Sequence, residues 1–500
     1  MADFLRRQPV VRDTVKEVAR ITGRTANLFN FYMDKDLLIQ ALLMLVSGNP
    51  HPSYAKTLRH DVGFSESLKR VASPSTLSRW IAEVGSACGE GKEFPGIMSR
   101  EDKNNWDLIS HPFFDRLNEV LTLNAIGETR RRHEALCHAF GAKTKPAVTV
   151  DIDNTFIATD GNQQGSAYCG KNRANGFFPL MVFIDGIPAH VQLAAGATDG
   201  RKLAGHVLPI VLETIRRELP DAEILVRADA GFNSNELFEI CDRYSAGMLV
   251  GFSQNRRLTA RTLEQMNRQL LENTENSDLV RIIDQHLVDL IISGDQDGLF
   301  FQQEYEPGEN RAKRLCGRVE NYRAQTWDKP RSVFYRVNYS EEYREVDFRF
   351  IQTNMTDGEM LRWIRRDARL HKVKTEPENC LDDHETARLA IGMYDGLYCQ
   401  RAVCELDIRE FKTLAGDTSL CHRQWFSNFF RLILIALAQQ CLLKLKELAF
   451  GSRSKSFGTM LRELLRIPAL VRIRRRTLTI AVYEGEPFAG ELRKLFRACG

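Results

Sequence analysis

The sequence predicts an α/β protein: a core of strands and helices, interrupted by a β-rich insertion, with an α-helical N-terminal domain and a basic helical C-terminal region. Three observations lead there. Through the first 143 residues apolar side chains recur at helical spacing, beginning with Leu37, Leu38, Ala41, Leu42 and Leu45. From Pro146 the pattern changes to short strands that then alternate with helices. Residues 421–500 carry 15 Lys/Arg against 5 Asp/Glu, a local +10 in a chain whose net charge is only +4, which leaves the first 420 residues at −6.

The composition belongs to a folded chain. Its 500 residues suffice for about three domains. Apolar residues make up 43% and charged ones 27%, with 33 Gly and 16 Pro, which excludes a collagenous or disordered polymer. The 11 cysteines are odd in number, scattered from Cys88 to Cys499 and without a CxxC pair. Reduced thiols in an intracellular compartment are expected, rather than a disulfide framework or a zinc ribbon. The opening MADFLRRQPVVRDTVKEVAR lacks the apolar run of a signal peptide. Phe429–Leu443 contains Arg431, Gln439 and Gln440, too short and polar a stretch to span a bilayer. It reads as a buried helix, and no membrane partner is expected.

Taken in order, SPSTLSRWIAEV predicts a helix with Ser73 as N-cap and Pro74 at its first position, burying Leu77, Trp80, Ile81 and Val84. The other face carries Ser75, Thr76, Ser78 and Arg79, suited to a DNA-reading helix, although an ordinary bundle helix has the same pattern. PAVTVDID, FFPLMVFID and PAHVQLAAG are three strands, with Gly186 and Pro188 as turn residues between the last two. A helix with Leu208, Val211, Leu212, Ile215 and Leu219 on one stripe follows, then strand EILVRAD, helix SNELFEICDRY and strand GMLVGF. This β-β-β-α-β-α-β order is the one a ribonuclease-H-like core would use. Residues 261–384 interrupt it with a polar helical piece to about Ile292 and two strands of period two, RSVFYRVNYS and REVDFRFIQ. Helix returns from Asp382.

Three carboxylates stand out by placement. Val148, Val150 and Ile152 share one strand face, which puts Asp151 and Asp153 on the other, near the strand end. Asp229 ends an apolar strand just before Gly231. Carboxylates at two such ends offer oxygen ligands to a hard cation, although an Asp at a strand end also serves simply to cap a turn. The third is Glu405. On a helix at 100° per residue Tyr398, Arg401, Glu405 and Lys412 fall within about 60° of arc. A carboxylate among Arg, Tyr and Lys suits a site holding a metal and a phosphodiester together, whereas a lone Arg/Glu pair decorates many surface helices.

Asp153 in VDIDNT, Asp229 in VRADAGF and the run YCQRAVCELDIREFK together resemble the DDE transposases of bacterial insertion sequences that carry a Tyr-Arg-Glu-Lys (YREK) signature. DNTFIATDGNQQGSAY looks most like the branch numbered thirteen-eighty. The resemblance runs from about residue 146 to 415, and more weakly beyond. It implies that Asp153, Asp229 and Glu405 are catalytic and hold two Mg²⁺ ions, with Mn²⁺ as a substitute, and that Tyr398, Arg401 and Lys412 grip phosphates of the transposon end. Asp153 occupies the place before x-Thr that the family motif uses, with Asp151 the other choice. Some relatives have a Trp after the signature Arg, where this chain has Ala402.

The domains expected are a helical DNA-end-binding region (1–143), a core (144–260), a β-rich insertion (261–384), the rest of the core with its Glu-bearing helix (385–450), and a basic DNA-contacting or dimerising region (451–500). Arg472, Arg474, Arg475 and Arg476, with Arg466 and Arg493, are the candidate phosphate contacts there. The partners implied are double-stranded DNA, both transposon ends and target, and a second copy of the chain in a dimer or larger assembly, in the bacterial cytoplasm at the nucleoid. Two other readings are a ribonuclease-H-fold nuclease without strand transfer and a domesticated, non-catalytic DNA-binding protein.

Overall fold

The computed structural model describes the chain apart from residues 24–32, 69, 90–96, 99–110, 142–143, 197, 255, 263, 265–312, 320–321, 326, 328, 341–344, 372–388, 417–419, 452–455, 466–468, 475–476, 483–487 and 500. Most of the polar piece expected to reach Ile292, and the helix start at Asp382, lie outside the described residues, as do Arg466, Arg475 and Arg476. The helices are α1 (Ala2–Arg7), α2 (Pro9–Thr22), α3 (Asp34–Val46), α4 (Ala55–Leu58), α5 (Val62–Leu68), α6 (Pro74–Gly89), α7 (Pro112–Phe140), α8 (Gly200–Glu218), α9 (Asn235–Arg243), α10 (Asp357–His371), α11 (Ala402–Ala415), α12 (Trp425–Phe450), α13 (Phe457–Met460) and α14 (Ala489–Cys499). The strands are β1 (Ile97–Met98), β2 (Ala147–Asn154), β3 (Ile157–Ala158), β4 (Ser166–Cys169), β5 (Ala174–Phe177), β6 (Leu180–Ile184), β7 (Ile187–Gln192), β8 (Glu223–Ala228), β9 (Gly247–Phe252), β10 (Lys313–Val319), β11 (Ser332–Ser340), β12 (Glu345–Thr353), β13 (Ala469–Arg474) and β14 (Thr477–Val482). Two compact units share them. The first comprises Met1–Val148, Ile152–Ala222 and Cys404–Gly500, and the second Thr149–Asp151 and Glu223–Val403.

The first unit is organised around α12. This helix is long and apolar enough to cross a membrane, but it is buried within the protein, against α3, α6, α7, α14 and β7. Phe429 stacks on Phe114 at 4.1 Å, and Phe430 meets Trp80 edge-on at 5.4 Å. Gly85 admits α6 to this contact, since a Cβ there would come 2.2 Å from Ser427 Oγ. The polar residues of α12 are tethers. Gln440 Nε2 donates to the carbonyls of Leu121 (3.0 Å) and Pro188 (2.6 Å), Gln439 Nε2 to that of Asp407 (2.9 Å), and Arg431 to that of Pro50. Lys446, fully buried, meets both Glu410 oxygens at 2.6 Å. Two of these tethers, at Asp407 and Glu410, hold α11.

In this unit β2, β6 and β7 are neighbours in that order. The fully buried Val148, Val150 and Ile152 bear out the alternation read for β2. The β6–β7 hairpin turns at Asp185 (φ 49°) and Gly186 (φ 73°), two positive angles in succession, as a type I′ turn requires. Pro188 is therefore not a turn residue. It lies in β7 opposite Phe183, where the register shifts. The edge strand β7 is covered by α7, whose Asn118 exchanges 3.0 Å hydrogen bonds with Val191 N and O while Thr122 donates to the Ala189 carbonyl at 2.8 Å. A small sheet, β1-β4-β5-β3, stands where no strands were expected, and its backbones approach closely at Gly176 and Gly196.

The second unit orders its strands β10-β11-β12-β9-β8, with residues 149–151 of β2 next to β8. β8 and β9 are parallel, joined through α9 with Ser234 as its N-cap. β12 pairs antiparallel with β9 and, from Ser332↔Thr353 to Ser340↔Glu345, with β11. The period-two strands of the insertion thus continue this sheet. The fold is mixed α/β with a large mixed sheet.

Two consequences can be measured. His190 on β7 is buried, with no partner for Nε2 among the described residues, and burial lowers its pKa to about 3. The unfolded imidazole titrates near 6.5, so the unfolded state binds the extra proton below that pH and stability falls from pH 6.5 toward 3, by at most on the order of 5 kcal/mol. His190→Gln should flatten the acid limb of a denaturation-midpoint against pH profile, and an unchanged limb contradicts this origin. Lys446→Met leaves the Glu410 carboxylate without its cation and should cost about 3 kcal/mol in chemical denaturation, with Glu410→Gln added to Lys446→Met recovering most of it.

Candidate active site

The first unit carries Asp153, Glu405 and Lys412. Asp153 is half-buried at the end of β2, its Oδ1 accepting from Asn154 N at 2.8 Å. Glu405 is exposed in the first turn of α11, and Lys412 lies on the same helix. The part of Lys412 lying against the protein disfavours its ammonium, the nearby Asp153 carboxylate favours it, and the balance leaves its pKa lowered.

The second unit carries Asp229, Tyr398 and Arg401. Asp229 follows β8 and caps a short 3₁₀ turn, Ala230–Phe232, accepting from Gly231 N at 2.9 Å. Burial raises the Tyr398 pKa; Arg401, hydrogen-bonded to the phenol, opposes this, while the Asp229 carboxylate adds to it. The phenol works as a neutral donor near pH 7. Gly251 makes room for it, since a Cβ there would come 2.5 Å from the Tyr398 hydroxyl and 2.8 Å from Ala230 N.

One helix does not hold the four signature residues as expected. Gly392–Tyr398 is wound as a π-helix, Cys399–Arg401 as a 3₁₀ turn, and α-helix begins only at Ala402. A projection at 100° per residue therefore fails between Tyr398 and Glu405. Arg336 of β11 braces the wide segment, pairing with Asp395 at 3.0 Å and lying 4.5 Å over the Tyr394 ring.

Asp151 and Asp153 have different roles. Asp151 is buried in a bidentate pair with Arg227, at 2.7 and 2.8 Å, and Arg227 Nη1 donates to the Leu397 carbonyl at 2.9 Å. Sequence reasoning missed Arg227 and Gly251. The signals were an Arg inside an otherwise apolar strand and a Gly inside GMLVGF. Among the described residues no three His, Cys, Asp or Glu side chains are grouped to hold a metal ion; Asp153 and Glu405 belong to the first unit and Asp229 to the second.

The remaining candidates are in the first unit. Ser73 caps α6, accepting from Thr76 N at 3.2 Å, and its hydroxyl lies 2.8 Å from that of Ser75 and 2.9 Å from that of Thr76; Ser75 and Arg79 are exposed and Ser78 half-buried. The basic C-terminal segment is not helical at its arginines. Arg472 and Arg474 stand exposed on β13, hairpin-paired with β14 as Arg472↔Thr479 and Arg474↔Thr477, because Val-Arg-Ile-Arg alternates with period two. Arg493 is exposed on α14.

The profile of the family described as Transposase DDE domain group 1 matches residues 95–499, about four-fifths of the chain. This chain belongs to that family. No curated protein matches it. Among solved structures, the Mos1 transposase paired-end complex with left transposon end is similar at 12% identity, covering 39% of this chain and 57% of that one, with a TM-score of 0.16.

Gly251→Ala tests the close approach at Tyr398. It should lower stability by about 1–3 kcal/mol in chemical denaturation, because the new methyl meets the Ala230 backbone as well as the phenol. An unchanged midpoint contradicts the contact.

Proposed function

We propose that this protein is a cut-and-paste DNA transposase of an insertion sequence, in the YREK group of DDE enzymes, with a ribonuclease-H-like core. Family membership across residues 95–499 carries the reading. The connectivity supports it, with three successive strands, β2, β6 and β7, before helix-linked β8 and β9. So does the company each carboxylate keeps within its unit, Asp153 near Lys412, and Asp229 near Tyr398 and Arg401.

Asp153, Asp229 and Glu405 offer only oxygen and are partly or fully exposed, so in donor chemistry they fit a hard divalent ion. They would hold Mg²⁺, or Mn²⁺, which supplies Lewis-acid activation of the attacking and leaving oxygens of an in-line displacement. Arg401 and Lys412 hold nonbridging phosphate oxygens as cations, and Tyr398 donates its neutral O–H to another. The terminal phosphodiester is hydrolysed to free a 3′-OH, and that hydroxyl then attacks a phosphodiester of target DNA. Ser75, Thr76, Ser78 and Arg79 of α6 read the terminal repeat. Arg472 and Arg474, with neighbouring Arg475 and Arg476, contact phosphates without regard to sequence. Two ends must be processed together, so the working form is a dimer or larger assembly on paired ends, inside the cell.

A Mg²⁺-dependent assay on linear DNA bearing the element's ends tests this. Cleaved and joined products are expected. Cleavage without joining points to a nuclease, and a gel shift without cleavage to a binding protein. Glu405→Gln should abolish cleavage and spare binding. Affinity for terminal-repeat duplexes should fall by roughly tenfold or more from 50 to 200 mM salt; equal affinities remove the electrostatic role of the arginines.

A further inference from the structure

Strand β2 presents two aspartates, and within the second unit Asp151 is fully engaged by Arg227. Both oxygens accept from that guanidinium, at 2.7 Å from Nε and 2.8 Å from Nη2, and the side chains are only 5% and 11% exposed. A buried pair of this kind is often no more stabilising than two apolar residues of similar volume. Its stability contribution alone therefore gives little reason for two charges inside a sheet. The third Arg227 contact supplies one. Nη1 donates 2.9 Å to the carbonyl of Leu397, the residue before Tyr398, at the end of the wide π-helical segment. Next along the chain, the Tyr398 phenol lies over Gly251 and beside Asp229 and Arg401.

We propose that Arg227, itself oriented by Asp151, is a positioning residue: by fixing the Leu397 carbonyl it sets the Tyr398 phenol beside Asp229 and Arg401. Arg227 touches no substrate. The use made of Tyr398, gripping a phosphate, rests on the proposed function; the positioning is a property of the folded chain. A planar fork is needed, because one guanidinium must reach a carboxylate with two donors and a carbonyl with a third, which an ammonium cannot do in this geometry.

The test uses the full-length protein with 3-fluorotyrosine at position 398 and the double variant Asp151→Leu/Arg227→Met, which removes both charges and strands neither. Its denaturation midpoint should stay close to that of the unsubstituted protein. Its ¹⁹F resonance at neutral pH should move or split, as the phenol loses its single setting. Cleavage of terminal-repeat DNA should fall roughly tenfold to a hundredfold, with less than a threefold change in duplex affinity. An unmoved resonance in the folded double variant overturns the proposal whether or not the protein cuts DNA, and so does full cleavage despite a moved resonance. If the unsubstituted protein does not cut, the proposed function fails and the ¹⁹F comparison still decides the positioning. Should the double variant fail to fold, Arg227→Lys, which keeps the charge opposite Asp151, is expected to move the resonance, and an unmoved one overturns the proposal.

Discussion

Arg227 sits inside a strand otherwise made of Ile, Leu, Val and Ala, and the geometry around the second unit's site depends on how its charge is met. An isolated guanidinium there would be strongly unfavourable. Asp151 meets it with two oxygens and the Leu397 carbonyl with a third, so one buried cation ties two strands to the segment that carries Tyr398. The first unit solves the same problem with Lys446 and Glu410, and there the tied element is the helix bearing Glu405 and Lys412. In both units a buried ion pair holds the backbone from which a signature residue projects.

Much of this was legible because periodicity survives packing. Alternation along β2 singled out Val148, Val150 and Ile152, all completely buried, and 3.6-residue spacing identified the inner face of α6 and the stripe of α8. β9 coincides with GMLVGF. Strands of two to four residues show too few alternations to read, so β3, β4 and β5 were not expected. At the C-terminus the charge of the arginines drew attention from the β-branched residues between them, which are what make a hairpin. Pro188 shows another limit, because a proline beside a Gly reads as part of the turn even when Asp185 and Gly186 complete it alone.

The site was legible as residue types more than as geometry. Asp153, Asp229 and Glu405 were chosen for their positions in the pattern, and strand ends and a helix start are where the first and second units place them. The signature spacing was read on an ideal helix, and the chain departs from one between Gly392 and Arg401. What separates Asp151 from Asp153 is a partner 76 residues away, which local pattern cannot disclose.

That departure has a mechanical corollary. The wide segment takes more residues per turn than an α-helix and the tight turn after it takes fewer, so the two deviations partly cancel before α11 begins. Surplus length is stored upstream of Tyr398 and released by Arg401. Loss of a single residue between Gly392 and Leu397 would let the backbone relax into common α winding while swinging the phenol about 100° around the axis. Insertions and deletions are therefore poorly tolerated there, even though no catalytic side chain belongs to those six positions.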